Sequence, residues 1–225
     1  MRMKKNALIV AGGSGKRMNA NIPKQFLLLG NEPVLMHSIR AFFSYDKNIN
    51  IVLALPESQF DYWKKLCSDY NFSIPHLLVA GGETRFNSVK ISVEKISEGL
   101  VAIHDGVRPL VSLSTIERTF RLAKKQGNAV PIIGIDDSVR IVNKGGHAAF
   151  NRNQIKIVQT PQVFRVEEIK LACQQPYNPG FTDDATVLEA FGKEVFLIDG
   201  NVENIKITNP IDLIIAGAMI NSFEK

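Results

Sequence analysis

An α/β fold built on a doubly wound, largely parallel, Rossmann-like sheet is what three features of this 225-residue chain predict. Short apolar runs recur with amphipathic stretches between them, the order that right-handed βαβ crossovers produce. The runs are apolar on consecutive residues rather than alternately, as strands covered on both faces are. Two of them lead into glycine-rich turns, at the carboxyl edge where such sheets hold their ligands. A projecting β-hairpin arm at about 137–156 is the one departure from this pattern.

Candidate strands cover residues 7–11, 49–54, 76–80, 100–104 and 129–133, with a late one at 194–198. Helices are expected between them. Residues 33–45 carry Val34, Leu35, Ile39 and Phe42 on one face, and 114–126 carry Ile116, Phe120 and Ala123 at the same spacing. Further helices are expected at 61–70, 166–174 and 211–223. In the arm, 138–142 and 148–152 flank the turn Asn143-Lys144-Gly145-Gly146-His147 and alternate as hairpin strands do. They are too polar for the sheet interior. A hairpin with so little core is marginal alone, so packing on a second copy, a homodimer with a clasped arm, is expected.

Composition narrows the function classes. A hydrophobic content of 45% suits the packed core of one domain spanning 1–225. The net charge of +5 is modest and its cations are scattered, so no nucleic-acid tract is present, and the charge suits phosphorylated small molecules. Cys67 and Cys173 have neither Cys-x-x-Cys spacing nor a nearby histidine cluster, which argues against zinc or a disulfide framework and for reduced, cytosolic thiols. The N-terminal apolar run is too short for a signal peptide or a membrane span, so a cytoplasmic protein without a membrane partner is expected.

The most informative stretch is Ala11-Gly12-Gly13-Ser14-Gly15-Lys16-Arg17-Met18, followed by Pro23-Lys24-Gln25. Glycines directly after a buried strand let backbone N–H groups approach an anion, and Arg17 and Lys24 add the charge a triphosphate needs in phosphoryl transfer. It is not a Walker A loop, since Arg17 stands where that loop has its hydroxyl, nor a dinucleotide fingerprint, since Met18 replaces the third glycine. Gly81-Gly82-Glu83-Thr84-Arg85 is a second such turn; beyond it, Ser88 is either a cap or a reader of a base edge. Asp105 follows the apolar run 100–104 and is either a carboxylate for magnesium, which takes one or two protein carboxylates plus substrate phosphates, or a loop cap paired with Arg108. His104 reads as a structural histidine. Thr182-Asp183-Asp184 reads as a helix cap with acids against the dipole, and Lys206 as the outward residue of an alternating strand.

Together and in this order, these segments, with Gln159-Thr160-Pro161-Gln162-Val163-Phe164 and Asn204-Ile205-Lys206-Ile207-Thr208, resemble the 2-C-methyl-D-erythritol 4-phosphate cytidylyltransferase family. The resemblance covers nearly the whole chain. It implies transfer of CMP from CTP to a sugar-alcohol phosphate with Mg2+ or another divalent cation, and a dimerising arm. It implies that Ala11, Gly12, Gly13, Gly15, Gly82, Glu83, Ser88, Asp105 and Gly106 bind CTP and that Asp105 is the metal residue. Arg17 and Lys24 would stabilise the transition state, while Lys206 and Arg152 would grip the acceptor phosphate, Arg152 from the neighbouring subunit. Asp105, Arg108, Ser138 and Arg140 complete the implied acceptor side. The chain departs from the pattern where two alanines commonly follow the aspartate, here Gly106-Val107, and where Asp-Thr-x-Lys becomes Asp137-Ser138-Val139-Arg140. Ribitol-5-phosphate cytidylyltransferases share the nucleotide half. A non-catalytic CTP-binding homologue would be expected to lack Arg17, Lys24 or Asp105, and all are present.

Overall fold

The structure, a computed structural model, describes residues 3–13 and 22–223. In chain order it runs through β1 (Lys5–Val10), the short pair β2 (Leu28–Leu29) and β3 (Glu32–Pro33), α1 (Val34–Tyr45), β4 (Asn50–Leu55), α2 (Phe60–Asp69), β5 (Leu77–Ala80), α3 (Arg85–Val93), β6 (Leu100–Asp105), α4 (Leu113–Gln126) and β7 (Asn128–Ile133). The arm follows as β8 (Val139–Asn143) and β9 (Gly146–Phe150), then β10 (Ile157–Val158), β11 (Gln162–Arg165), α5 (Val166–Ala172), α6 (Asp184–Ala190), β12 (Leu197–Asp199) and α7 (Pro210–Phe223).

The main sheet has the order β10-β7-β11-β6-β1-β4-β5, with β12 also paired to β7. From β1 the chain moves outward through β4 to β5, then returns to lay β6 on the other side of β1, and all three of these neighbouring pairs are parallel. The expected doubly wound, largely parallel sheet is therefore present. Its switch point lies between β1 and β6, where both strands end on their carboxyl side. Two strands of this sheet were not anticipated. β11 lies antiparallel between β6 and β7, and β10 is antiparallel to β7. β11 is only four residues long and begins with a glutamine directly after Pro161, so it has no apolar run to betray it.

Period-two alternation assigns each strand residue to one of two cores. Ala7, Ile9, Leu53 and Ala102 pack with Leu35 and Phe42 of α1, Trp63 of α2 and Ile116 and Phe120 of α4. Leu8, Val10, Val52, Val101 and Ile103 pack with Phe86 and Val89 of α3, Ile169 of α5 and Leu188 of α6. Burying each such aliphatic side chain stabilises the fold by about 1.5–3 kcal/mol, which is why these runs dominate the sequence signal. A smaller cluster of Leu29, Val34, Val107, Ile207 and Ala216 seats α7 beside the carboxyl edge.

Local signals fix the helix ends that matter for the site. Thr84 caps α3 by accepting the amide of Asn87, and Asp183 caps α6 in a reciprocal capping box with Thr186. Gly127, at φ 99°, closes α4 in a backbone conformation that favours glycine. The arm forms a separate two-stranded sheet in the register Val139↔Phe150 to Asn143↔Gly146, and Ile141 and Val142 stand 49% and 76% exposed on it.

Candidate active site

A cavity of about 450 Å³ opens at the switch point. It is lined by the end of β1 and the loop after it, Val10 to Gly13, by Lys24 and Gln25, by Gly82 to Arg85 with Ser88, and by Asp105, Val107 and Lys206. The loop after β1 is tied down on several sides. The Ala11 amide donates to the Ala54 carbonyl at 3.0 Å, the Gly106 amide donates to the Val10 carbonyl at 2.9 Å, and Gln25 Nε2 donates to the Ala11 carbonyl at 2.8 Å. Lys24, buried in a single 3-10 turn, donates from Nζ to the Ile207 carbonyl at 2.9 Å, and Gly13 stands against its stem.

The second glycine turn is shaped by packing. A Cβ on Gly82 would lie 2.6 Å from that of Asn87, so only glycine fits. Ser88 Oγ accepts the Gly82 amide at 3.1 Å and donates to the Thr84 carbonyl at 2.9 Å. The helix cap is thus Thr84, and Ser88 fastens the turn that faces the cavity. Gly106 is equally constrained: a methyl there would meet Leu35 Cδ1 at 2.8 Å and Ala11 Cβ at 3.0 Å. The departure from alanine to Gly106 is therefore absorbed by its neighbours, while Val107 is buried against Val34 and Ile207.

The charges converge on Asp105. Its Oδ1 accepts Arg85 Nε at 3.1 Å, its Oδ2 accepts Lys206 Nζ at 2.8 Å, and Arg108 Nε lies 3.8 Å from Oδ2. Burial alone would push this carboxyl up, but Arg85, Lys206 and Arg108 outweigh it and hold it well below the usual carboxylate range. Arg85 also grips Asp184 bidentately, NH1 to Oδ1 at 2.8 Å and NH2 to Oδ2 at 2.7 Å. Burial pushes the guanidinium down, yet the two carboxylates raise its pKa, so it is permanently charged. Arg85, Asp105 and Lys206 form the wall between this cavity and a second one of about 220 Å³, lined also by Arg108, Gln159, Thr160 and Thr182.

His104 serves that wall from behind. The Asp105 amide donates to Thr160 Oγ1 at 3.0 Å, Thr160 Oγ1 lies 3.1 Å from His104 Nδ1, and His104 Nε2 lies 3.0 Å from the Arg108 carbonyl. A carbonyl only accepts, so Nε2 carries the proton and Nδ1 accepts from Thr160 in a neutral ring. Burial holds the imidazole down at about 4. Its stabilising contribution is complete above the unfolded value near 6.5 and is lost as pH falls toward the folded value, by about 3 kcal/mol in all. Urea unfolding of the wild type and a His104→Gln variant between about pH 7 and pH 4 tests this, because the wild type alone should show the extra slope. Identical slopes would contradict it.

The structure brings together most of the residues singled out above. Ala11, Gly12, Gly13, Lys24, Gly82, Glu83, Ser88, Asp105 and Lys206 line the larger cavity, Gly106 closes on Val10, and Arg108 lines the smaller cavity. Gly15 and Arg17 lie outside the described residues. Ser138, Arg140 and Arg152 line neither cavity; Arg140 Nε donates to His147 Nδ1 on the arm, and Arg152 donates to the Asp136 carbonyl. Lys206 is not on a strand. Residues 204–208 are irregular chain, held in place by the Ile207 to Val107, Lys24 to Ile207 and Asn204 to Thr160 hydrogen bonds. Sequence reasoning missed Arg85 and Asp184 as partners, because Asp184 already had a local explanation as a helix-start acid.

A metal at Asp105 does not fit this arrangement. Both carboxylate oxygens are engaged by cations, and a divalent ion would stand against Arg85 and Lys206. Among the described residues no group of three or more His, Cys, Asp or Glu side chains is placed to hold a metal. Nor is any described helix long and apolar enough to cross a membrane.

The family model described as 2-C-methyl-D-erythritol 4-phosphate cytidylyltransferase (IspD) matches residues 6–222. The protein of that name from Bacteroides thetaiotaomicron is 48% identical over 219 residues, which cover 97% of this chain and 100% of the relative. That from Porphyromonas gingivalis is 48% identical over 224 residues, covering 99% and 100%. Among solved structures, the enzyme of that name from Thermus thermophilus superposes with a TM-score of 0.77 at 28% identity, over 98% of this chain and 100% of its own. The bifunctional IspDF from Campylobacter jejuni superposes with a TM-score of 0.81 at 30% identity over 94% of this chain, which spans 54% of that longer one. The match of a family model over nearly all of the described sheet, and of full-length relatives at close to half identity, places this chain in the 2-C-methyl-D-erythritol 4-phosphate cytidylyltransferase family.

Proposed function

We propose that this chain transfers CMP from CTP to 2-C-methyl-D-erythritol 4-phosphate, giving 4-diphosphocytidyl-2-C-methyl-D-erythritol and pyrophosphate. The observation that carries this is one cavity lined both by the glycine turns, at Gly12–Gly13 and Gly82, and by the two lysines, Lys24 and Lys206. The acceptor phosphate attacks the α-phosphorus in line, and pyrophosphate leaves. The acceptor is already ionised, so no general base is needed, and neutral, enclosed His104 keeps its structural part.

Charge accumulates on the non-bridging oxygens and the leaving pyrophosphate. Lys24, whose stem lies against Gly13, and Arg17, which follows the glycine run in the sequence, serve that charge, while Gly82, Glu83 and Ser88 face the base. Lys206 and Arg108, both against Asp105 Oδ2, serve the acceptor phosphate, and Asp105 its hydroxyls. A divalent cation, which commonly accompanies a triphosphate, would be held by the phosphate oxygens rather than by Asp105. The functional unit is one nucleotidyltransferase domain that dimerises through the β8–β9 arm, whose exposed Ile141 and Val142 offer a surface for a second copy and whose base, just past β9, carries the Arg152 that would serve the neighbouring site. Its two free thiols suit the cytoplasm; burial pushes Cys67 up to about 11 and Cys173 up to about 12.

The test is pyrophosphate release from CTP with magnesium, comparing 2-C-methyl-D-erythritol 4-phosphate with ribitol 5-phosphate. Strong preference for the methylerythritol phosphate is expected. Preference for ribitol phosphate would keep the chemistry and overturn the acceptor, and release with neither would overturn the activity.

A further inference from the structure

We propose that Asp184 and Arg85 are positioning residues of this site: Asp184 holds the Arg85 guanidinium against Asp105, and Asp105, so held, sets where the Lys206 ammonium stands. The inference rests on the reading of Lys206 as an acceptor-phosphate cation.

The four side chains form one alternating file of charge. Asp184 takes the end of the guanidinium with both oxygens, leaving Nε to meet Asp105 Oδ1, and the other Asp105 oxygen takes Lys206. The file starts deep and ends in the open. Asp184 is 3% exposed at its side chain and Asp105 9%, whereas Lys206 is 42% exposed. The buried end is anchored hard: Asp184 begins α6, and Gln162 of β11 accepts the Ala185 amide at 2.8 Å and donates to Asp183 Oδ2 at 2.8 Å. β11 in turn pairs with β6 at Gln162↔Ile103, so α6 and Asp105 are referenced to the same strand.

A carboxylate shared between two cations is divided according to how firmly each is held. With Asp184 in place the guanidinium fork is committed, and only Nε reaches Asp105. If Asp184 loses its charge, the fork is released to take Asp105 with two N–H groups, the stronger geometry, and Lys206 loses its partner. A wall shared by both cavities then shifts on its acceptor side, while the glycine turns that face the nucleotide keep their own ties through Gln25 and Ser88.

The experiment pairs kinetics with a readout that needs no substrate. In Asp184→Asn, the KM for the acceptor phosphate should rise about tenfold while that for CTP stays within about twofold, and Asp184→Glu should restore most of the loss. Arg85→Lys, which cannot fork, should give the same pattern, and the double variant should be no worse than either alone, since both break one chain of contacts. Acetic anhydride footprinting read by mass spectrometry should label Lys206 at least about threefold faster in Asp184→Asn than in the wild type, as its carboxylate partner is withdrawn, and no faster in Arg85→Lys, whose ammonium cannot take Asp105 with two N–H groups. Equal rises in both KM values, additive losses, or a Lys206 labelling rate in Asp184→Asn unchanged from the wild type would overturn the inference. Should Asp184→Asn fail to fold, Arg85→Lys at the cavity wall carries the KM comparison, and faster labelling of Lys206 in it would overturn the inference. A wild type that ignores the methylerythritol phosphate while Lys206 labelling responds as expected would overturn the proposed activity and leave the positioning intact.

Discussion

Replacing Lys24 with alanine is expected to lower kcat by about 10²- to 10³-fold while changing the KM for CTP by no more than about threefold. Lys24 Nζ is the only lysine nitrogen seen to be fixed to backbone at the rim shared by Gly13 and Ile207 among the described residues, bonded to the Ile207 carbonyl at 2.9 Å. A cation held in place ahead of the reaction does not need to reorganise as charge builds, and its advantage is therefore greatest in the transition state. The nucleotide's base and ribose would be held elsewhere, at Gly82, Ser88 and Gly106, so ground-state affinity should survive the change. The removed side chain also ties the 3-10 turn to residues 204–208, so thermal unfolding must be measured alongside. Lys24→Met, which keeps the apolar stem and drops the charge, separates the two effects: a kcat loss matching that of the alanine variant assigns the loss to charge. Equal losses in kcat and CTP affinity would contradict a transition-state role.

How much of this site was legible in the sequence follows from how local each signal is. The turns after β1 and β5 announce themselves because glycine, strand end and cation are neighbours in the chain. Asp105 and Lys206 were legible as charged residues beside buried runs, although residues 204–208 form no strand and bury Asn204 and Ile207, three positions apart. β1, β4 and β6 were legible because burial on both faces forces continuous apolar runs. β11 was not, since its pairing to β6 and β7 depends on backbone hydrogen bonds that any four residues can make. The Arg85 to Asp184 contact joins residues 99 positions apart, and each had a sufficient local explanation as turn cation and helix-start acid. Only the meeting of the first turns of α3 and α6 brings them together.

Mixing Arg152→Ala chains with Lys24→Ala chains is expected to restore about a quarter of wild-type activity, although each variant alone is nearly inactive. Arg152 stands in the 3-10 turn just past β9, exposed, and lines neither cavity of its own chain. If it completes the site of a second copy across a two-fold axis, every site draws Lys24 from one subunit and Arg152 from the other. A heterodimer then has one site with both residues intact and one with neither, and random pairing makes about half of the dimers heterodimers. Half the dimers, each with half its sites, gives the quarter. Separately tagged chains, purified through both tags, remove the dependence on random pairing and should then show about half of wild-type activity. Verified heterodimers without recovery would mean that each chain closes its own site. Arg152 would then have to reach the cavity by a rearrangement of the arm within one chain, breaking its bond to the Asp136 carbonyl, and dilution to monomer would leave activity per chain unchanged.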